Sequence, residues 1–262
     1  MEFFTIASGS KGNCAYVSSA HTKLLIDVGV SGKVVTNCLE KFGIDGNELS
    51  GIFVTHEHTD HIKGVGIISR KYNVPIYATE GTWAGMNHAL GKIAPSNRHV
   101  IYPGEPCILN DLRICPFEIP HDAAEPVGYS IFCGDKKVCV ATDLGCTTKE
   151  IESQLRDCDI ILLESNHDEG MVENGGYPMM LKRRILGNTG HLSNRTAGDL
   201  IARIMSNKLK YVYLGHLSDE NNYPKLALKT VSEVLSEHGI FVGSSLQLKL
   251  AEQHRCSEKI VF

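Results

Sequence analysis

The chain has 262 residues, of which 42% are hydrophobic and 21% charged, a composition typical of globular domains and unlike collagenous or disordered chains. Its formal net charge of −4 gives no overall basic field, so any polyanionic partner has to be bound locally. No apolar run approaches the roughly 18 residues of a membrane span, which predicts no membrane partner, and no secretion signal is recognisable. The nine cysteines include no Cys-x-x-Cys pair, which favours free thiols and a cytoplasmic location.

Short apolar or β-branched runs alternate along the chain with longer segments of helical spacing. Helices are predicted to begin at Ser31, His61, Thr147, Ser193 and near Tyr223. Paired strands early in each half, followed by strand–helix alternation, favour an α/β fold with two mixed sheets flanked by helices, a four-layer αββα sandwich. No linker separates the halves, so we expect a single domain over residues 1–262. Strands are predicted at 2–7, 15–18, 23–28, 51–55, 75–78, 108–116, 128–133, 137–141, 160–164, 211–214 and 239–250.

The motif His-Glu-His-Thr-Asp-His at positions 56–61 follows an apolar predicted strand. An extended backbone with a period of two places His56 and His58 on the same side, and Asp60 and His61 then begin a helix. Two imidazoles followed by a carboxylate–imidazole pair suit borderline divalent ions such as zinc or manganese, and the two pairs can serve two neighbouring ions. The alternative interpretation is a solvated polar loop.

This motif resembles the His-x-His-x-Asp-His signature of the metallo-β-lactamase superfamily. The resemblance covers essentially the whole chain, because other marks of that superfamily recur in order, namely the segments 24–29 and 142–144, His121, and His216 after segment 211–214. It implies the metallo-β-lactamase fold and two divalent metal ions. The implied ligands are His56, His58 and His121 for one ion, Asp60, His61 and His216 for the other, and Asp143 as the bridge. It also implies that Asp27 braces the metal loop through hydrogen bonds.

Two of these residues have simpler interpretations when each is taken alone. Asp143 at the end of a strand is also suited to capping a helix. A lone histidine after a strand, such as His216, is more often an ordinary surface or core residue. Their place in the ordered set favours ligation.

Four further segments, 7–14, 164–168, 190–194 and 214–222, resemble the YycJ/WalJ-like group of bacterial metallo-hydrolases. That resemblance implies 5′ to 3′ exonuclease action on DNA. It also implies a relationship to tRNA-processing nucleases and to the β-CASP nucleases, which carry a large inserted domain. The interval between Asp143 and His216 leaves no room for such a domain, so we expect none.

His191 is outside the implied ligand set and precedes a predicted helix. In the phosphodiesterase branches of the superfamily a comparable histidine contacts the scissile phosphate or protonates the leaving oxygen, which the resemblance implies for His191. A helix N-terminus disfavours imidazolium, so proton donation needs a carboxylate such as Glu164 nearby. The residues expected to take part in catalysis are therefore His191, Glu164 and Asp60.

Several polar residues are candidates for contact with the substrate. In segment 8–13, glycines let the backbone approach a ligand, and Ser10, Lys11 and Asn13 can face phosphate oxygens; a tight turn is the alternative. Arg183 lies in the basic run 182–184, which suits either a phosphate clamp or a solvated helix face. His167 either orients Glu164 or lines the entrance, with helix capping by its neighbours as the alternative.

These residues predict a metal-dependent phosphodiesterase, and the resemblance implies a 5′ to 3′ DNA exonuclease in which a hydroxide held between two zinc or manganese ions attacks phosphorus. The partners are DNA ends, with RNA as an alternative, and the oligomeric state stays open between monomer and dimer. The alternatives are a hydrolase of small phosphodiesters or thioesters, an RNA-processing nuclease, and a non-catalytic metal-dependent binding module. β-Lactam hydrolysis is disfavoured because the implied second ligand set resembles phosphodiesterase branches.

Overall fold

The computed structural model describes residues 1–244 and 246–262, which group into two compact units. The first unit comprises Met1–Glu118, Ala123–Asp135 and Glu252–Phe262. The second comprises Ile119–Asp122 and Lys136–Ala251. Within the described ranges, no helix is both long enough and apolar enough to cross a membrane. The single domain over residues 1–262 stays a prediction.

The described residues form an α/β arrangement of helices and strands. The strands are β1 (Glu2–Ala7), β2 (Cys14–Ser18), β3 (Lys23–Ile26), β4 (Gly51–Phe53), β5 (Ile76–Ala78), β6 (Arg98–Val100), β7 (Cys107–Leu109), β8 (Leu112–Glu118), β9 (Val127–Cys133), β10 (Lys136–Ala141), β11 (Ile160–Glu164), β12 (Tyr211–Gly215), β13 (Gln247–Leu250) and β14 (Ile260–Val261). The helices are α1 (Gly32–Lys41), α2 (Thr59–Ile62), α3 (Val65–Tyr72), α4 (Glu80–Leu90), α5 (Lys149–Leu155), α6 (Glu169–Asn174), α7 (Met179–Ile185), α8 (Asn194–Ile204) and α9 (Pro224–Glu237).

The first unit contains a mixed sheet with the strand order β14-β1-β2-β3-β4-β5-β6. Pairing is antiparallel from β14 to β3 and parallel from β3 to β6. Buried side chains of this sheet, such as Phe4 and Ile52, share one apolar cluster with Val35 of α1, Ile68 of α3 and Trp83 of α4. Burial of each such side chain stabilises the unit by about 1.5–3 kcal/mol, so the cluster gives β4 a fixed position.

An antiparallel meander of β7, β8 and β9 also belongs to the first unit. Its last strand contacts the chain just beyond β4. The amide of Val127 donates to the carbonyl oxygen of Thr55 at 3.0 Å, and the Tyr129 hydroxyl donates to the carbonyl oxygen of Val54. These hydrogen bonds fix the backbone immediately before the histidine motif.

The second unit contains the parallel strands β10, β11, β12 and β13, each paired with the next. Chain segments that contain α5, α8 and α9 connect successive strands. The carboxyl ends of parallel strands lie at one edge of a sheet, where α/β proteins bind ligands. Residues that end β10, β11 and β12 are therefore brought to a common edge by the topology alone.

Many predicted elements are confirmed, among them the strands 2–7 and 160–164 with unchanged bounds. Ser31 and Ser193 are helix caps, because their hydroxyls accept hydrogen bonds from the amides of Val34 and Thr196. The helix predicted at His61 begins at Thr59, and that predicted at Thr147 begins at Lys149 after the cap Thr148.

The predicted strands 51–55 and 75–78 are longer than β4 and β5, and three further predictions are too long for reasons that the backbone shows. The segment 108–116 is part of a hairpin of β7 and β8, because Asn110 at the turn has a φ of 52° and reverses the chain. The segment 23–28 ends as a strand at Ile26, because Asp27 has a φ of 57°. In the segment 239–250, the strand β13 starts at Gln247, since Gly239 and Gly243 have positive φ; Ser245 lies outside the described residues.

Candidate active site

The histidine motif follows β4 in the first unit, and its first and last histidines are buried. His56 and His61 are both 0% exposed, and the His56 Nε2 atom lies 3.0 Å from the His58 Nδ1 atom. The rings of His56 and His61 have centroids 4.1 Å apart. Two imidazole nitrogens at 3.0 Å need a proton or a cation between them, since their lone pairs otherwise repel. This arrangement fits a divalent metal ion.

Asp27 orients the motif from the end of β3. Its Oδ1 atom accepts a hydrogen bond from the Thr55 amide at 2.8 Å, and its Oδ2 atom accepts one from the Thr55 hydroxyl at 2.9 Å. The His61 Nδ1 atom lies 2.8 Å from Oδ2 and donates to it, so Nε2 is the ring nitrogen that carries the lone pair a metal needs. Burial raises the pKa of Asp27, although the charge of His61 and hydrogen bonds from His61 and Thr55 oppose this. These hydrogen bonds to Thr55 and His61 are the kind that the family resemblance implies for Asp27.

The loop between β1 and β2 contacts the second half of the motif. The Asn13 amide donates to the Asp60 carbonyl oxygen at 2.8 Å, and the Asn13 side-chain nitrogen lies 3.1 Å from the His61 Nε2 atom. Asn13 is buried, whereas Ser10 and Lys11 are exposed. Of the three predicted phosphate contacts in this loop, Asn13 is thus engaged within its own unit, and Ser10 and Lys11 lie at the surface.

In the second unit, the residues at the carboxyl ends of the strands include Asp143 after β10, Glu164 at the end of β11 and His216 after β12. Asp143 and His216 have φ values of 60° and 54°, in the left-handed region that side chains other than glycine rarely adopt. Such strain persists only where the surrounding structure enforces it and is concentrated at functional sites. Both side chains are buried, and the His216 Nδ1 atom lies 3.1 Å from the Asp143 Oδ1 atom.

Glu164 is fully buried and links two histidines. Its Oε1 atom accepts hydrogen bonds from Nδ1 of His191 at 2.8 Å and from Nδ1 of His216 at 2.9 Å. Its Oε2 atom accepts hydrogen bonds from the amides of Leu144 at 2.7 Å and Leu192 at 3.0 Å. Burial alone would raise the pKa of Glu164, but the charge of His191 and the hydrogen bonds from His191 and His216 together lower it to about 2. The carboxylate is therefore ionised at neutral pH.

His121 approaches the same residues from the short segment Ile119–Asp122 of the second unit. Its Nδ1 atom donates to the Gly190 carbonyl oxygen at 3.2 Å, and its Nε2 atom lies 3.7 Å from the Asp143 Oδ1 atom. Burial lowers the pKa of His121, which favours the neutral imidazole that a metal requires.

The donor atoms of the second unit converge. Asp143, Glu164, His191 and His216 each offer one ligand atom within 4.8 Å of the others. Mixed imidazole and carboxylate donors are the set that zinc and manganese accept. The residues of both units therefore have the chemistry of metal ligands.

The other predicted substrate residues have different environments. His167 is 1% exposed, and its neighbour Asp168 caps α6 by accepting a hydrogen bond from the Met171 amide at 2.9 Å. Asp168 is therefore the neighbour of His167 that caps helix α6. Arg183 is exposed on α7, the helix predicted for the basic run.

Thr55 has a functional position that the sequence did not reveal. Besides its bonds to Asp27, its hydroxyl lies 3.0 Å from Nδ1 of His56 and 3.1 Å from Nδ1 of His61. The sequence signal for this contact was the position of Thr55 directly before the histidine motif. A threonine at the end of a strand is too common to predict contacts with two histidines.

Comparison with known proteins agrees with this arrangement. The family model described as the β-lactamase superfamily domain matches residues 22–216. The chain belongs to the metallo-β-lactamase superfamily and is a metal-dependent hydrolase. This confirms the resemblance drawn from the histidine motif.

Within the superfamily, the chain belongs to the YycJ/WalJ-like group. It is 39% identical over 248 residues to exodeoxyribonuclease YycJ of Bacillus anthracis, covering 95% of this chain and 94% of that protein. It is 38% identical over 244 residues to exodeoxyribonuclease WalJ of Streptococcus pneumoniae D39, covering 92% of this chain and 91% of the relative.

A solved structure with low sequence identity to this chain has the same fold. The metallo-β-lactamase fold protein YhfI of Bacillus subtilis matches with a TM-score of 0.71 at 15% identity, covering 98% of this chain and 99% of that chain. The predicted fold class, α/β with mixed sheets flanked by helices, is confirmed.

Proposed function

We propose that this protein is a 5′ to 3′ DNA exonuclease that uses two divalent metal ions, zinc or manganese. The observation that carries the proposal is the Glu164 carboxylate, which binds both His191 and His216 through their Nδ1 atoms. This contact connects a predicted metal ligand to a predicted proton donor. Relatives that align with more than nine-tenths of the chain are named exodeoxyribonucleases, which supports DNA as the substrate.

The proposed metal ligands are His56, His58 and His121 for one ion, Asp60, His61 and His216 for the other, and Asp143 for both. Divalent ions at such positions, when bound, acidify water and stabilise charge on phosphate oxygens. Asp27 and Thr55 hold the ring orientations of His56 and His61 through Nδ1. Glu164 does the same for His216. With Nδ1 occupied by these hydrogen bonds, Nε2 is the nitrogen that can bind a metal.

His191 acts in this proposal as the general acid. Its Nδ1–H donates to the ionised Glu164, so its Nε2 atom is the one that can present a proton to the substrate. As a water oxygen bonds to phosphorus and the P–O bond to the leaving nucleotide breaks, that proton passes to the leaving oxygen. The hydrogen bond to Glu164 holds the His191 ring in the orientation that this transfer needs.

Lys11 and Ser10, exposed in the loop before β2, are proposed contacts for the DNA phosphates. Arg183 is proposed to add a further cation from the exposed face of α7. Local cations are needed because the chain has a net charge of −4. Asn13 supports the site by orienting Asp60 and His61.

We propose a cytoplasmic location because the chain carries nine cysteines and its described residues form no disulfide bond. A reducing compartment maintains such thiols. DNA ends are the proposed partner, and the proposal makes no use of a second subunit.

The test is digestion of DNA labelled at its 5′ or 3′ end by protein stripped of metal and then supplied with zinc or manganese. We expect mononucleotides to appear first from the 5′ end, only with metal, and RNA to be cut more slowly. Cleavage of bis(p-nitrophenyl) phosphate without any cleavage of DNA would instead identify a small-phosphodiester hydrolase. Failure to cleave either substrate with both metals overturns the proposal.

A further inference from the structure

A pocket of about 450 Å³ lies in the second unit, with His191 in its wall. Its volume is within the range of about 300–1,000 Å³ that is usual for small-molecule sites. Residues from α6, from the end of α7 and from the start of α8 line it, together with the loop after Asp143. A group that occupies this pocket therefore lies beside the histidine to which the proposed function gives the proton transfer.

His167 lines the pocket and is 1% exposed. In the described structure its Nδ1 atom is buried and has no hydrogen-bond partner. Burial lowers the pKa of His167, so a neutral imidazole ring forms this part of the pocket wall.

Two carboxylates, Glu169 and Glu173, line the same pocket from α6. The Ser193 hydroxyl donates to the Glu169 Oε1 atom at 2.7 Å, which restrains this side chain. Carboxylates repel phosphate groups and accept hydrogen bonds from N–H donors. The pocket chemistry thus disfavours a phosphate and favours a group that carries N–H donors.

The apolar side chains of Leu186 and Leu192 also line the pocket. A planar ring gains favourable contact with apolar side chains while its polar edge makes hydrogen bonds. A nucleobase combines both properties. Cytosine presents an amino donor at N4, whereas uracil and thymine present an acceptor oxygen at the equivalent position.

We propose that this pocket binds the base of the terminal nucleotide and favours bases with an exocyclic amino group, through the carboxylates of Glu169 and Glu173. The inference rests on the proposed function, because it assigns the pocket to the nucleotide whose phosphodiester is cut next to His191. It adds a base preference, which the predicted ligands and the proton donor do not determine.

The experiment compares oligonucleotides that end in deoxycytidine or deoxyuridine, which differ at the pyrimidine edge and share the phosphodiester. The proteins are the wild-type chain, the double variant Glu169→Gln/Glu173→Gln, and the control Glu233→Gln, which changes an exposed glutamate outside the pocket. Hydrolysis of bis(p-nitrophenyl) phosphate, which has no base, reports the metal chemistry separately.

We expect kcat/KM of the wild type to favour the deoxycytidine end by about tenfold, the usual effect of one hydrogen bond to a charged group. The double variant should lose most of this preference and still hydrolyse bis(p-nitrophenyl) phosphate, and Glu233→Gln should keep both. Equal rates on the two ends in the wild type, or an unchanged preference in the double variant, overturn the pocket proposal and leave the exonuclease proposal intact.

If DNA is not cleaved at all, the proposed function fails. Calorimetric titration with dCMP and dUMP then tests the base preference of the pocket. Tighter binding of dCMP by the wild type than by the double variant, with weaker binding of dUMP, supports it. Equal binding of dCMP and dUMP to the wild type overturns it.

Discussion

The Glu164 carboxylate accepts a hydrogen bond of 2.8 Å from the Nδ1 atom of His191. Glu164 ends β11, and His191 precedes α8, so two separate elements of the second unit meet in this pair. The pair fixes which nitrogen of His191 points away from the protein carboxylate. The role of His191 in catalysis depends on that orientation.

Replacement of His191 by Ala should lower the phosphodiesterase rate by about a hundredfold to ten-thousandfold, the usual contribution of a general acid. The metal content should not change, because His191 is outside the proposed ligand set. Elemental analysis and steady-state kinetics on one preparation measure both quantities. His88→Ala, at an exposed position of α4, is the matched control, and an unchanged rate in His191→Ala would remove the proposed role.

Glu164→Gln should destabilise the fold by about 3 kcal/mol, since a buried charged acceptor loses its hydrogen bonds to two imidazoles. The pKa of Glu164 is lowered from 4.5 to about 2, so its ionised form stabilises the folded state above the unfolded-state pKa. That contribution is lost as the pH falls from about 4.5 through about 2. The wild type should therefore lose stability in this range more steeply than the variant.

Urea denaturation at several pH values, with a chelator present, measures this difference. Glu233→Gln serves as the control because that side chain is exposed. Parallel pH profiles for wild type and Glu164→Gln would show that Glu164 does not titrate as described.

Asp27→Asn should weaken metal binding by about 10- to 100-fold, the usual effect of losing a carboxylate behind a ligating histidine. The His61 Nδ1 atom lies 2.8 Å from the Asp27 Oδ2 atom. The amide oxygen of asparagine is a weaker hydrogen-bond acceptor for this nitrogen than the carboxylate is. Competition with a chromogenic chelator measures the affinity. In the control Asp45→Asn, asparagine can still cap the short helix that follows Asp45. Equal affinities for Asp27→Asn and wild type would exclude the bracing role.

Gly29→Ala should destabilise the protein by about 3 kcal/mol through overpacking and should reduce metal binding. A Cβ atom at Gly29 would lie 1.6 Å from the Asp60 carbonyl oxygen and 2.7 Å from the Asn13 amide nitrogen, both backbone atoms. The alanine side chain can fit only if the backbone at Asp60 moves. Gly176→Ala is the control, because among the described residues no atom lies within 4 Å of its added Cβ. Equal melting temperatures for the two variants would contradict this reading.

Much of the fold was predictable because apolar runs bounded by turn residues are strong local signals. Strands β1 and β11 have the predicted bounds for this reason. The errors at Asp27 and Asn110 share one cause, a positive φ at a residue that is not glycine. Aspartate and asparagine tolerate that conformation, but their sequence context does not show when they adopt it. Helix α4 was missed, since its glycines and polar residues weaken the helical pattern.

The part of the candidate site that lies in one short motif was predictable from the sequence. Contacts between residues that are far apart along the chain were harder to predict. The segment 56–61 indicates metal binding by its own spacing. The contact of Glu164 with both His191 and His216 joins residues 27 and 52 positions apart, which spacing cannot reveal without a resemblance. Asn13 was predicted to face phosphate, but its side chain is engaged with the motif because the loop before β2 packs against Asp60.

We propose that hydrolysis depends on two metal ions and that Asp143 would serve as a ligand to both. Metal content and DNA hydrolysis should be measured together in the wild type and in Asp143→Asn, which tolerates the same positive φ but lacks the charge needed for a bridge. The account predicts about two ions per active wild-type chain, and a variant that loses at least one ion and its nuclease activity. Full DNA hydrolysis by Asp143→Asn, or by wild type freed of metal, would contradict it.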